Sequence, residues 1–173
     1  MNEFTLIAGP CAIEDDKTGL EIARKVKEIC DDLSINYIFK ASYKKANRSK
    51  NNSFTGIGDL NALKIIKSIG EELNIGTITD VHESHEPEQV AEFVSHLQIP
   101  AFLCRQTALL IASGETGLPV NIKKGQFMSP ESMGFAVEKI KSTGNDNIWI
   151  CERGNSFGYQ DLIVDATAIT KLK

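Results

Sequence analysis

Short apolar runs alternate with longer segments of helical spacing along the whole chain. Phe4-Thr-Leu-Ile-Ala8 is apolar and stops at Gly9-Pro10, which predicts a first strand. Asp15 and Asp16 open a helix running to about Asp32, with Leu20, Ala23, Val26, Cys30 and Leu33 on its apolar stripe. A second strand covers Tyr37 to Ala41. Asp59 begins a helix whose buried stripe is Leu60, Leu63, Ile66, Ile69 and Leu73. Thr77 to Asp80 is a third strand, and Pro87 suits the first turn of a helix carrying Val90, Phe93 and Val94 inward. Leu97-Gln-Ile99 is a fourth strand, with a helix ending near Gly114. Val120-Asn-Ile122 is a fifth, followed by a helix from Pro130 through Val137 and Ile140. Asn147 to Ile150 is a sixth, and Leu162 to Lys173 reads as the start of another helix.

Six strands alternating with helices predict a parallel sheet with helical crossovers, either an open sheet or a barrel. The polar residues choose between them. Gly9-Pro-Cys11, Lys40 to Lys50, Asp80-Val-His82, Cys104-Arg-Gln106, Lys123-Lys-Gly-Gln126 and Arg153 to Tyr159 all follow predicted strands. In a TIM-type (β/α)8 barrel those ends gather on one face, whereas an open sheet uses chiefly its switch point. The barrel is therefore the predicted fold, as a single domain over 1–173. A full barrel takes about 250 residues, so the pattern reads as one cut after six βα units. No internal repeat or interdomain linker interrupts it.

The chain of 173 residues is 42% hydrophobic and 24% charged, ordinary for a globular protein. Its net charge of -4 argues against nucleic acid or anionic membrane as a partner. No apolar run reaches the roughly 20 residues of a membrane span, and the first residues lack the pattern of a signal peptide. Cys11, Cys30, Cys104 and Cys151 are widely spaced, which suits a reducing cytoplasm.

Against this acidic background, Lys40, Lys44, Lys45, Arg48 and Lys50 place five cations in eleven residues. Asn47, Ser49, Asn51, Asn52 and Ser53 add amide and hydroxyl groups. Taken alone such a run is a solvated basic loop. Beside Arg105, Lys123 and Arg153, each after a different strand, it implies a ligand with several negative charges. Guanidinium forks and ammonium groups neutralise phosphate or carboxylate, while Asn and Ser read hydroxyls. Gly154 and Gly158 flank Asn155 and Ser156, which lets backbone N–H groups approach a phosphate. Cys11 is either a small buried hydrophobe or a thiolate metal ligand or nucleophile. Cys30 belongs to a helix stripe, and Cys104 and Cys151 read as packing residues. His82-Glu-Ser-His85 has a zinc-like spacing but lies in a loop before Pro87, so Asp80 is the better site candidate and His96 is structural.

These stretches carry a resemblance over essentially the whole chain. Ile7-Ala-Gly-Pro-Cys11, Phe39-Lys-Ala-Ser42, Lys45-Ala-Asn-Arg-Ser49, Thr79-Asp-Val-His-Glu83, Gln98 to Thr107, Asn121-Ile-Lys-Lys-Gly-Gln-Phe127 and Phe157-Gly-Tyr159 resemble the 3-deoxy-D-manno-octulosonate 8-phosphate synthases. These enzymes join phosphoenolpyruvate to arabinose 5-phosphate for lipopolysaccharide synthesis, as homotetrameric (β/α)8 barrels. The resemblance implies that Lys40 and Lys45 hold the phosphoenolpyruvate carboxylate, and Lys123 and Arg153 its phosphate near Ala101. It gives Asn47, Arg48 and Ser49 to arabinose 5-phosphate, and Arg105 to that sugar's phosphate in a neighbouring subunit. Asp80 and Gln98 line the same cleft.

Cys11 looks like the metal-dependent branch of that family, which takes a divalent ion (Fe, Zn or Mn). The other family ligands, a His, a Glu and an Asp, follow strands seven and eight. The stretch as given is thus expected to hold metal poorly and turn over little. After Ser49 the family usually reads Ser-Ile-His-Ser-[Phe/Tyr]-Arg-Gly, but here Asn52 and Thr55 replace the His and the Arg. Two other readings compete: a related synthase using erythrose 4-phosphate, and an inactive truncated barrel that only binds phosphorylated ligands.

Overall fold

The computed structural model describes residues 4–46, 48, 50, 52 and 54–173. The chain divides into two compact units, Met1–Asp80 with Glu92–His96, and Val81–Ala91 with Leu97–Lys173.

In the first unit β1 (Thr5–Ala8), β2 (Asn36–Lys40) and β3 (Gly76–Asp80) are parallel and lie side by side in chain order. Leu6 is opposite Tyr37, Ala8 opposite Phe39, and Lys40 opposite Ile78. The crossovers are α1 (Asp16–Asp32) and α2 (Asp59–Leu73). Asp15 caps α1, accepting from the Thr18 backbone N–H at 2.6 Å, which satisfies one of the orphan donors of the first turn. Ala23, Cys30, Leu63, Ile66 and Ile69 bury the facing stripes of the two helices, and the Arg24–Glu72 ion pair ties them outside. Asn74 ends α2 in the left-handed conformation. Ser95 exchanges hydrogen bonds with Thr77, which fastens residues 92–96 to the start of β3.

The second unit repeats the plan. Leu97, Gln98 and Ile99 of β4 (His96–Ile99) precede β5 (Val120–Lys123) and β6 (Ile148–Cys151), again parallel and in chain order. Leu97 lies opposite Val120, and Lys123 opposite Cys151. The helices are α3 (Pro87–Val90), α4 (Thr107–Glu115) and α5 (Gly134–Lys141). The core is Leu97, Ile99, Leu109, Leu110, Val120, Ile122, Met133 and Ile140, all nearly inaccessible. Near-continuous apolar strands joined by helices are what a parallel sheet covered by its own crossovers requires. Three parallel strands in chain order within each unit, alternating with helices, are the repeats of a partial TIM-type barrel, the fold class that the sequence predicts.

Four expectations need correction. The helix from Pro87 is a single turn ending at Val90, so Phe93 and Val94 lie beyond it; Val94 is buried and Phe93 only partly. Leu60 and Leu33 are exposed, because each sits at a helix end where the stripe has left the core. Leu162 does not begin a helix. Asp161–Ile163 forms β8, antiparallel to β7 (Asn155–Phe157), and only Thr167–Leu172 is helical, as α6. Finally, Gly154 and Gly158 do not frame free backbone N–H groups for a phosphate at Asn155 and Ser156, since these two residues belong to β7 and the Ser156 N–H donates to the Gln126 carbonyl at 3.0 Å. Gly154 (φ +84) and Gly158 (φ +77) flank that strand in the left-handed region and mark its ends.

Candidate functional site

Within the first unit, the ends of β1, β2 and β3 bring Cys11, Lys40, Lys45, Arg48 and Asp80 into one neighbourhood. Gly9 permits the close approach. A Cβ there would stand 2.3 Å from the Lys40 carbonyl oxygen, so only glycine lets β1 turn against the end of β2. Lys40 closes β2, and its Nζ donates to Asp80 Oδ2 at 2.5 Å and to Ser42 Oγ at 3.0 Å. Lys45 Nζ also donates to Ser42 Oγ, at 2.9 Å, and the Ser42 hydroxyl donates to Asp80 Oδ2 at 2.8 Å. One buried serine thus holds two ammonium groups, and one buried carboxylate offsets part of their charge. The arrangement leaves a net positive spot suited to a small anion. Lys45 is anchored by its backbone N–H to the Thr55 carbonyl at 2.8 Å, and Arg48 by its Nε to the Phe54 carbonyl at 3.2 Å. Asn47 and Ser49 lie outside the described residues.

Cys11 is exposed, at the edge of a cavity of about 210 Å³ whose lining includes Pro10, Ile13, Thr18, Ile22 and Arg48. Its pKa lies below the usual thiol value. A hydrogen bond from Lys45 is the main cause, with the positive charges of Lys45, Arg48 and Lys40 adding to it against a smaller effect of burial. The sulfur is therefore disposed to be a thiolate. A divalent ion needs more than one donor, however. Among the described residues no three His, Cys, Asp or Glu side chains are grouped to hold a metal, so these residues by themselves do not fit one. His82 Nδ1 stands 3.6 Å from Glu86 Oε2, and His85 lines a separate hollow of about 410 Å³ with Glu88 and Glu115. None of the predicted cations lines that hollow.

In the second unit, Lys123 ends β5, and Arg153 follows β6 and is exposed. Both charges act on the thiol of Cys151, but burial outweighs them and pushes that pKa up. Burial does the same to Cys104, in keeping with packing roles for both cysteines. Ala101 is buried in a short turn after β4, and Gln98 inside β4 has a buried Oε1 with no hydrogen-bond partner among the described residues. An orphaned buried acceptor of this kind calls for a donor from a ligand or water. Arg105 is exposed and, with Lys139, Ser132 and Phe135, lines a cavity of about 390 Å³.

Two further residues, Ser42 and Lys124, have roles in the structure that no pattern in the sequence assigns to them. Ser42 is the hub of the first cluster, and the sequence marks it only as the last residue of Phe39-Lys-Ala-Ser42, with no role attached. Lys124 is wholly buried, next to Lys123, the one of the pair to which the family resemblance gives a phosphate. Nothing in the doublet Lys123-Lys124 distinguishes which side chain turns inward.

The whole chain from residue 2 to residue 173 matches the model of the DAHP synthetase I family. It is 50% identical over 170 residues to a 2-dehydro-3-deoxyphosphooctonate aldolase of Fusobacterium nucleatum, covering 98% of this chain and 61% of that one. Proteins of the same name from Koribacter versatilis and Francisella tularensis are each 46% identical, over 95% and 98% of this chain. Those matches cover 59% and 62% of the relatives, so the chain spans about three-fifths of their length. With its strand-end cations, its parallel βα repeats and a match over nearly every residue, the chain belongs to the DAHP synthetase I family.

Proposed function

We propose that this chain is part of a synthase that condenses phosphoenolpyruvate with arabinose 5-phosphate and water. The products are 3-deoxy-D-manno-octulosonate 8-phosphate and inorganic phosphate. The observation that carries the reading is the Lys40–Ser42–Lys45–Asp80 cluster, a preorganised positive site at strand ends. The relatives are named 2-dehydro-3-deoxyphosphooctonate aldolase, which supports a phosphorylated eight-carbon 3-deoxy product.

Carbon 3 of phosphoenolpyruvate forms the new bond to the aldehyde carbon, water adds at carbon 2, and the C–O bond to phosphate breaks. Two anionic substrates repel one another in water, and fixed cations offset that repulsion without reorganising during the reaction. Lys40 and Lys45 take a carboxylate, their ammonium groups held in place by Ser42. Asp80 holds the Lys40 ammonium and keeps the cluster from carrying its full positive charge. Lys123 and Arg153 take a phosphate beside Ala101, and Gln98 offers its free acceptor to a ligand hydroxyl or water. Asn47, Arg48 and Ser49 receive the sugar, and Arg105 serves the sugar phosphate of a neighbouring subunit in a homotetramer. Cys11 is the residue of this chain offered to a divalent ion. One thiolate does not by itself make a metal site, and no second or third donor is grouped with it among the described residues.

The test is phosphate release by the full-length protein with each aldehyde. Arabinose 5-phosphate is expected to give a kcat/KM at least about tenfold above that of erythrose 4-phosphate, a margin of about 1.4 kcal/mol in transition-state binding. Equal rates, or a preference for erythrose 4-phosphate, would move the assignment to the related synthase. Tight binding of both sugars without phosphate release would favour a non-catalytic barrel.

A further inference from the structure

Lys124 is fully buried, and its ammonium is enclosed by oxygen atoms from two separate loops. From the turn after β5 come the carbonyls of Gly125 and Met128, each at 3.3 Å. The loop after β6 supplies the Gly154 carbonyl at 3.1 Å and Asn155 Oδ1 at 2.8 Å. Glu152 Oε1 stands 3.5 Å away and also accepts from the Gly154 backbone N–H at 2.6 Å. The other oxygen of Glu152 is buried with no hydrogen-bond donor among the described residues, so its charge depends on Lys124 for compensation. The Ser156 backbone N–H donates to the Gln126 carbonyl at 3.0 Å, a second tie between the same two loops.

Burying an ammonium group is costly unless it is fully bonded, and here that expense falls at one particular junction. Lys124 directly follows Lys123, while the Gly154 and Asn155 that it grips directly follow Arg153. We propose that Lys124 is a positioning residue, a buried cationic cross-link that sets the spacing and aim of Lys123 and Arg153 as a phosphate-binding pair. The inference rests on the synthase reading above and adds to it the device that preorganises the phosphate subsite. Preorganisation of this kind is felt in binding, because a pair held loosely must be ordered by the ligand itself.

The experiment compares full-length wild type with Lys124→Met and Asn155→Ala, measuring KM for each substrate, kcat, and thermal unfolding. Asn155 is only half-buried and gives up one of several acceptors, so its variant keeps the fold should Lys124→Met lose it. For Lys124→Met the KM for phosphoenolpyruvate is expected to rise on the order of tenfold, with the KM for arabinose 5-phosphate within about twofold of wild type. For Asn155→Ala a rise of about threefold with the same selectivity is expected. Lower thermal stability with unchanged KM for phosphoenolpyruvate in the folded variants would overturn the inference and leave a purely structural lysine. Equal increases for both substrates would overturn it as well. A wild type that consumes no phosphoenolpyruvate would instead overturn the synthase reading, and this inference with it.

Discussion

Cys11 shows how much of a residue's chemistry is set by its neighbours. The thiol is exposed, and the Lys45 hydrogen bond lowers its pKa, whereas burial raises the pKa of Cys104 and Cys151. A lowered pKa means that the thiolate, the reactive form, is reached at lower pH. Iodoacetamide at pH 8 is therefore expected to label Cys11 first, with a pH–rate midpoint below the ordinary thiol value. In Lys45→Ala the hydrogen bond is gone and that midpoint should move up. Peptide mapping of the alkylated protein checks both, and labelling of Cys151 ahead of Cys11 would contradict the assignment. At this scale the sequence showed which cations and which cysteine to consider. It gave no role to Ser42 or Lys124, because the inward or outward course of a side chain after a strand end depends on the packing of the loop around it.

Elements were legible wherever an apolar period ran for several turns. The stripes of α1 and α2 and the six apolar strands appear near their predicted places, since burying such a face is the main gain available to each segment. The failures share a cause. The turn Pro87–Val90, the hairpin β7–β8 and the exposed ends at Leu33 and Leu60 are short or terminal, so local period says little about them. Glycine positions give a sharp test at this scale. At Gly9 a methyl group would strike the Lys40 carbonyl, whereas at Gly134, the exposed first residue of α5, nothing lies within 4 Å of the added atom. Gly9→Ala is expected to destabilise by about 3 kcal/mol, the upper part of the usual overpacking range. Gly134→Ala should stabilise by about 0.5 kcal/mol through the reduced freedom of the unfolded chain. Urea unfolding of the two variants against wild type decides, and similar effects of both would show that the close approach at Gly9 is relieved by a backbone shift.

For the whole molecule the notable feature is apolar surface at the hairpin and just after it. Phe157 is 69% exposed, Leu162 53%, Ile163 50% and Val164 63%, side chains that a folded protein usually covers. The 173-residue polypeptide, 19.0 kDa as a single chain, is expected to self-associate at micromolar concentrations. Light scattering after size exclusion should give a mass well above 19.0 kDa, and Leu162→Glu with Val164→Glu should bring it down. A monodisperse wild type at the single-chain mass would show that this surface is tolerated in water.

The succession of apolar runs was enough to determine a parallel βα architecture, because strands covered by their own crossover helices must be apolar throughout and must recur at helix-length spacing. The same succession placed the cations at strand ends, where this fold keeps its chemistry. Tertiary structure alone decided which of those groups engage one another. Lys40, Lys45 and Asp80 are joined through a serine that carries no charge, and Lys124 rather than Lys123 is drawn inside to bridge two loops. Hydrogen-bond networks of this sort depend on distances of a few tenths of an ångström between segments dozens of residues apart. No pattern read along the chain encodes those distances.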